Sequence, residues 1–249
     1  MTALAFASEL EDTLLMAKSG SAQAQFNLGW MYNFGEGVPE DPKQALKWYL
    51  KSAQQGFAKA QNNLGVIYAS GKGVSKDNNK AVKWYLKSAQ QGYARAQYNL
   101  GLMYANGEGV PQSDKEAVKW LLQSAQQNYA AAQNNLGAMY DIGRGVPEDN
   151  REAVKWYLQS AQQGYATAQY NLGVAYANGE GVPEDSISSY VWHSMAKAFG
   201  NKMAITAVES LKNSMTKQQI AEGRIRAGNC YRSNFANCNW VAADYFAFP

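Results

Sequence analysis

Apolar and small residues recur at spacings of three and four in the segment that begins near residue 22. Ala24, Leu28 and Tyr32 fall on one stripe of a helix, which is typical of a helix with one buried face. Gly35 and Gly37 follow, and glycine adopts left-handed backbone angles at little cost. The pattern predicts an amphipathic helix that ends in a glycine turn.

A second helix is predicted after that turn. Asp41 can accept a hydrogen bond from a free amide at a helix start, and Pro42 suits the first helical position. Ala45 and Trp48 then supply an inward face, whereas Lys47 lies on the side predicted to face solvent.

This pattern occurs five times with a step of 36 residues and no insertion. The recurring core positions are Leu28, Leu64, Leu100, Leu136 and Leu172, the glycine after each leucine, and Trp48, Trp84, Trp120, Trp156 and Trp192. One helix pair cannot bury two faces alone, so the copies must stack. We therefore predict an all-α solenoid of antiparallel helix pairs.

Capping elements and a tail are predicted around the repeats. Leu10, Leu14 and Ala17 match second-helix positions one period earlier, and two more helices are predicted at 204–211 and 217–227. The predicted boundaries are 1–19 for an N-terminal capping helix, 20–55, 56–91, 92–127, 128–163 and 164–199 for the repeats, 200–228 for C-terminal capping helices and 229–249 for a tail.

Composition narrows the classes of partner. Hydrophobic residues make up 46% of the chain and charged residues 17%, which favours a folded protein. A net charge of +3 predicts no broad basic surface, so we expect no nucleic-acid partner. No apolar run approaches the roughly 20 residues that span a bilayer, so no membrane insertion is expected. The first residues lack the basic start of a secretion signal, although a chain whose signal had been removed would look the same.

No constellation of residues favours catalysis. His193, the one histidine, falls in a second-helix column that tyrosine or leucine holds in the other repeats, which indicates a surface or packing substitution. The sequence contains no histidine pair or cysteine cluster with metal-ligand spacing, and its acidic residues recur as turn and cap residues. We expect no enzyme, no metal and no cofactor.

The amino-acid sequence of each repeat resembles that of a known family. The third repeat reads Ala96-Gln97-Tyr98-Asn99-Leu100-Gly101 and then Gly107-Glu108-Gly109-Val110, and similar letters recur in every copy. This unit is similar to the Sel-one-like repeat (SLR), a relative of the tetratricopeptide repeat, over about residues 20 to 199. The resemblance implies a right-handed α-α superhelix that binds proteins and is not known for catalysis in itself.

The same resemblance implies that the first helix of each pair lines a concave binding surface. Positions beside the core stripe vary between copies, as expected of a binding surface on a fixed scaffold, and aromatic and arginine residues are frequent interface anchors. The candidate partner-binding residues are Gln23, Phe26, Trp30, Asn33, Phe34, Lys59, Asn62, Val66, Arg95, Tyr98, Leu102, Asn106, Asn134, Asp141, Tyr170 and Asn178. The alternative is that this variation is drift, and that Phe26 or Tyr98 packs on the adjacent repeat.

One asparagine column has two interpretations. Its members are Asn27, Asn63, Asn99, Asn135 and Asn171. By analogy with tetratricopeptide domains, Lys59, Asn63 and Asn99, with Arg95, could hold a peptide carboxylate through charge-assisted hydrogen bonds. We favour the structural alternative, a hydrogen bond to a neighbouring turn or helix, because the asparagine occurs in every copy.

Cys230 and Cys238 bracket a short polar stretch that could bend back and bring their sulfurs together. A similar pair ends some exported members of the family, which slightly favours a disulfide and an exported or periplasmic location over two reduced thiols in the cytosol. The apolar tail, Trp240 to Pro249, is predicted either to pack over the terminal helices or to lie in a groove.

The function predicted is that of a scaffold or adaptor, expected to be monomeric, that binds another protein or peptide with a preorganised surface. A more specific alternative is an exported inhibitor or immunity protein that captures a toxin or effector. An enzyme that acts on peptidoglycan is the least favoured alternative, because the sequence lacks a catalytic constellation.

The tryptophan column is predicted to be core, which a single truncation tests. Trp120→Ala should lower the free energy of unfolding by ~3–5 kcal/mol through lost burial and a cavity. A thermal scan that shows no loss would contradict the assignment.

Overall fold

The computed structural model describes residues 3–233, Phe235 and Cys238. Over these residues the chain forms thirteen helices and no strand, which confirms the predicted all-α fold. The helices are α1 Ala3–Lys18, α2 Ala22–Phe34, α3 Pro42–Gln54, α4 Ala58–Ser70, α5 Asn78–Gln90, α6 Ala94–Asn106, α7 Asp114–Gln126, α8 Ala130–Asp141, α9 Asn150–Ala161, α10 Ala166–Asn178, α11 Ser186–Ala198, α12 Met203–Ser214 and α13 Lys217–Arg232.

Consecutive helices pack as the pairs of a repeat solenoid. The first helices are α2, α4, α6, α8 and α10, and each is followed by its second helix. The most extensive contacts join the members of a pair, as between α2 and α3 or between α10 and α11. The chain divides between Gln123 and Ser124 into two compact units.

The glycine in the core stripe lets the two helices of a pair come unusually close. A methyl carbon on Gly29 would lie 2.7 Å from Cδ1 of Tyr49, and one on Gly137 would lie 2.8 Å from Cδ1 of Tyr157. Carbon atoms attract best at about 3.5–4.0 Å, so no side chain fits at these positions without displacing the ring. The recurring Leu-Gly pair is therefore a packing requirement.

A ladder of buried glutamines and serines, which the sequence reasoning did not single out, ties the repeats together. Nε2 of Gln61 donates to the carbonyl of Ala53 at 3.2 Å, and Oε1 of Gln61 accepts from Gln91 at 2.7 Å. Oγ of Ser88 donates to the carbonyl of Ala58 at 2.7 Å. They also give the buried Gln61 and Ser88 side chains hydrogen-bond partners, as buried polar groups require.

The predicted turn and cap chemistry is confirmed in the first repeat. Gly35 and Gly37 have φ angles of 72° and 71°, in the left-handed region. Oδ1 of Asp41 accepts from the amides of Lys43 at 2.9 Å and Gln44 at 3.0 Å, which fixes the start of α3.

The C-terminal helix differs from its predicted extent. α13 continues past Ala227 to Arg232, so that Cys230 lies within it. A disulfide joins Cys230 to Cys238, and both cysteines pack with Phe235 in the hydrophobic core of the second unit. The tail at residues 240–249, which is predicted either to pack over the terminal helices or to lie in a groove, is outside the described residues.

The tryptophan column is less uniformly buried than predicted. Trp48 and Trp192 are buried, whereas Trp84, Trp120 and Trp156 are half-buried. A half-buried indole has less apolar contact to lose, so the cost of Trp120→Ala is expected at the lower end of its range.

Gly137→Ala tests the close approach of paired helices. The new methyl would meet Tyr157 at 2.8 Å and the carbonyl oxygen of Ala153 at 3.1 Å, and backbone cannot move aside cheaply. We expect a loss of about 1–3 kcal/mol in chemical denaturation. The matched control is Gly228→Ala in α13, where the methyl meets nothing nearer than 3.8 Å, and which should be neutral or stabilising. Equal stability of the two variants would contradict the packing account.

Candidate binding surface

Most of the candidate residues lie on the accessible side of the first helices. In the unit up to Gln123, Gln23, Lys59, Arg95 and Asn106 are exposed, and Phe26, Asn33, Tyr98 and Leu102 are half-buried. In the other unit Asn178 is exposed, and Asp141 and Tyr170 are half-buried.

Asn62 and Asn134 correct the prediction, because they are buried and not exposed. Their relative exposures are 1% and 6%. Each sits between neighbouring asparagines whose polar groups it bonds, so its side chain is not available to a partner as predicted.

Hydrogen bonds link the asparagine column across adjacent repeats. Nδ2 of Asn99 donates to Oδ1 of Asn62 at 3.0 Å, and Nδ2 of Asn62 donates to Oδ1 of Asn63 at 3.3 Å. The second unit repeats the first of these bonds from Asn171 to Asn134 at 3.1 Å. This geometry agrees with the structural interpretation of the column, and a carboxylate held by Asn63 and Asn99 would compete with these bonds.

An apolar cavity of about 420 Å³ opens beside α2. It is lined by Thr13, Phe26, Asn27, Trp30, Met31, Glu36 and Gly37. Trp30 is 37% exposed and Phe34 is 59% exposed, and their ring centroids lie 5.2 Å apart. The two rings therefore form an aromatic edge next to a cavity, which is the kind of feature that anchors a partner side chain.

Phe26 has a different role from Trp30. Its ring lies 5.7 Å from Tyr49 and 5.3 Å from Phe57, measured between centroids, so it packs on the neighbouring helices. This packing is the alternative that the sequence left open for Phe26. Phe26 still forms one wall of the cavity.

A smaller cavity of about 210 Å³ in the second unit has both polar and apolar walls. It is lined by Asp141, Tyr157, Tyr170, Asn171, Val174, Ala175 and Glu180. The Tyr157 hydroxyl donates to Oδ2 of Asp141 at 3.2 Å. Burial raises the pKa of Asp141, with Glu180 and Glu148 acting in the same direction and the Tyr157 hydrogen bond opposing them.

His193 is buried, so the predicted surface position is wrong and the predicted packing substitution is confirmed. It replaces the second-helix tyrosine, and its ring lies against Gly173 and edge-on to Tyr170 at 5.2 Å. Nδ1 lies 3.2 Å from Oγ of Ser189. Burial lowers the pKa of His193 to about 4, so the ring is neutral at neutral pH.

Neither a metal site nor a membrane-spanning helix is present in the part of the chain that the structure describes. No group of three or more His, Cys, Asp or Glu residues there could hold a metal ion. No described helix is both long and apolar enough to cross a membrane.

Comparison with protein families gives a match over most of the chain. A sequence model of the Sel1 repeat matches residues 22–57, 58–93, 94–129, 130–165 and 166–198. The chain belongs to the Sel1 repeat family. Sel1 repeats generally mediate protein interactions and the family is typically non-catalytic, so this scaffold fits a protein-binding adaptor.

Solved Sel1 repeat structures resemble the chain closely. The protective antigen c5321 of uropathogenic Escherichia coli, which displays an SLR fold, is 33% identical with a TM-score of 0.84 over 92% of this chain and 49% of its own. This chain thus spans about half the length of that protein. A Sel1 repeat protein from Oxalobacter formigenes is 35% identical with a TM-score of 0.73, over 83% of this chain and 86% of its own.

A more distant likeness is to the immunity protein Pa5087 of Pseudomonas aeruginosa. The two are 22% identical with a TM-score of 0.48, over 83% of this chain and 74% of that protein. A likeness at this level supports no inference about function. A search of curated proteins gave no match.

The asparagine bonds of this Sel1 repeat protein predict a stability effect. Asn62→Ala removes a buried acceptor and leaves the Asn99 amide without it, so we expect a loss of about 1–3 kcal/mol in the free energy of unfolding. The matched control is Asn27→Ala, one position along in the column of Asn63 and Asn99, where the side chain is exposed and accepts a hydrogen bond from Gln23 at 2.8 Å. Urea denaturation should show a change of less than about 0.5 kcal/mol for the control. Similar losses for both variants would contradict the structural role.

Proposed function

We propose that the chain is a scaffold that binds another protein or peptide on its first helices, with the main anchor site at Trp30, Phe34 and the adjoining cavity. The partner inserts an apolar side chain between the aromatic edge and the cavity wall. Because the helices on both sides are fixed by packing, binding requires little ordering of the scaffold.

The distribution of exposed apolar side chains is the observation that carries this proposal. On the first helices, Trp30, Phe34 and Val66 are 37%, 59% and 44% exposed. Among the described residues of the same unit, the other exposed large hydrophobic residues are Leu15 and Met16 of the capping helix α1, and none lies on the second helices α3 and α5. Exposed apolar surface gathered on one face marks an interaction site more often than isolated apolar residues do.

An exported inhibitor that captures a toxin or effector is a narrower form of the same function. The disulfide between Cys230 and Cys238 supports an exported location for the protein, since disulfides persist in oxidising compartments. The inhibitor form requires that the captured partner is a toxin whose activity falls when the chain binds.

The proposal predicts the effect of removing the aromatic edge. Trp30→Ala combined with Phe34→Ala should lower the affinity for the partner by about 30-fold or more, because aromatic anchors buried in an interface typically contribute 2 kcal/mol or more to binding. The partner is first captured from lysate of the source organism on immobilised protein and identified by mass spectrometry. Its affinity for each purified variant is then measured by calorimetry.

The matched control is Met203→Ala combined with Ile225→Ala. These residues are 58% and 63% exposed but lie on α12 and α13, outside the first helices. The control should bind like the unmodified chain. If the aromatic variant folds and binds with unchanged affinity, or if the control loses as much, the proposed site is wrong.

A further inference from the structure

A second groove lies on the other helix type, at α5. It has a volume of about 630 Å³ and is lined by Tyr68, Lys80, Lys83, Trp84, Leu86 and Lys87. Tyr68, Trp84 and Leu86 are half-buried and form an apolar floor, and the three lysines are exposed along the rim. Trp84 packs against the cluster that holds Ala45 and Tyr49 of α3, so the floor is continuous with the core.

The charge at this groove is not neutralised as it is on the second helices α7 and α9. On α7, Nζ of Lys119 lies 3.4 Å from Oε2 of Glu116, and on α9, Nζ of Lys155 lies 3.0 Å from Oε2 of Glu152. On α5 the residue equivalent to these glutamates is Lys80.

The substitution of lysine for glutamate leaves Lys83 without the counter-charge that its equivalents have on α7 and α9, and Lys87 adds a cation where those helices have glutamine. Lys80 pairs with the cap residue Asp77 at 3.2 Å, but Lys83 and Lys87 form no ion pair with any described residue. Like charges three or four positions apart destabilise a helix by about 0.2–0.5 kcal/mol per pair. An anionic group over the groove would relieve that repulsion.

The neighbouring second helix extends the basic surface. Neither α3 nor α5 contains an aspartate or glutamate within its bounds, and Lys47 and Lys51 of α3 are exposed. Nζ of Lys87 lies 4.6 Å from the ring centroid of Trp84, and Nζ of Lys80 lies 5.4 Å from that of Tyr68. These cation–π contacts hold the charges at the rim of the groove.

We propose that the α5 groove binds an acidic peptide segment of a partner protein, with an aromatic or aliphatic side chain of that segment on the apolar floor. Carboxylates of the segment pair with Lys83 and Lys87. An anionic membrane surface fits less well, since α3 and α5 carry none of the exposed large hydrophobic residues of the described chain and so offer nothing to insert into lipid. This site is separate from the aromatic edge on α2 and does not rest on it.

Fluorescence anisotropy with defined peptides tests the proposal. The probe is the fluorescein-labelled peptide EEDFEEDLEE, compared with EEDSEEDSEE, which lacks the apolar side chains, and with KKRFKKRLKK, which reverses the charge. We expect EEDFEEDLEE to bind more tightly than the other two and its affinity to fall as salt is raised, since exposed charges are screened.

Exposed lysines allow variants that keep the fold. Lys83→Gln combined with Lys87→Gln should lower the affinity for EEDFEEDLEE at least about tenfold. Lys80→Glu, which restores the residue type found on α7 and α9, should lower that affinity similarly. The control Lys119→Gln combined with Lys155→Gln removes the same charge elsewhere and should change the affinity less than about twofold. Circular dichroism and thermal midpoints check that all variants fold.

Four results would overturn the proposal. They are no binding of EEDFEEDLEE up to about 1 mM, equal binding of EEDSEEDSEE, equal losses in the groove and control variants, and binding of phosphatidylglycerol vesicles but not of the peptide. The last result would assign the lysines to a lipid surface.

Discussion

The structure depends on the close approach of the two helices of a repeat, which the glycine after each core leucine permits. At Gly29 and Gly137 an aromatic ring of the second helix occupies the space of a missing side chain. The side chain against the glycine is Tyr49 in one repeat, Leu121 in another and the imidazole of His193 in a third, so the requirement is close packing against the glycine rather than one residue type. Buried glutamine and serine side chains also donate to carbonyls of adjacent helices, so the helices stack without leaving these polar side chains unpaired.

A scaffold fixed in this way confines variation to the outside of the helices, and the two helix types have varied differently. The first helices of the unit up to Gln123 carry exposed apolar residues at Trp30, Phe34 and Val66. The second helices of that unit carry exposed lysines, as at Lys83 and Lys87. Apolar anchors and an uncompensated basic groove suit different parts of a partner, or two partners, and a rigid repeat presents both without reorganisation.

Much of the fold follows from the sequence because local chemistry and repetition agree. The 36-residue step, the turn glycines and the Asp41 cap each point to the same helix pair. Tertiary effects could not be predicted in this way. Asn62 falls at a position that the sequence predicts to be exposed, but its side chain is buried. It accepts a hydrogen bond from Asn99 in the next repeat and donates one to Asn63 in its own repeat. Trp84 shares a column with the buried Trp192 yet stays half-buried, because its outer face borders the α5 groove. The cavity beside α2 also needs Thr13 of the capping helix, which no repeat pattern indicates.

Binding of the partner on the first helices is the centre of the proposed function. Amide hydrogen exchange of the chain with and without that partner tests it most directly. Binding should slow amide exchange in α2 and in the turn that follows it at residues 35–41, with a smaller effect in α4. Protection confined to α12 and α13, with exchange in α2 and α4 unchanged, would contradict it.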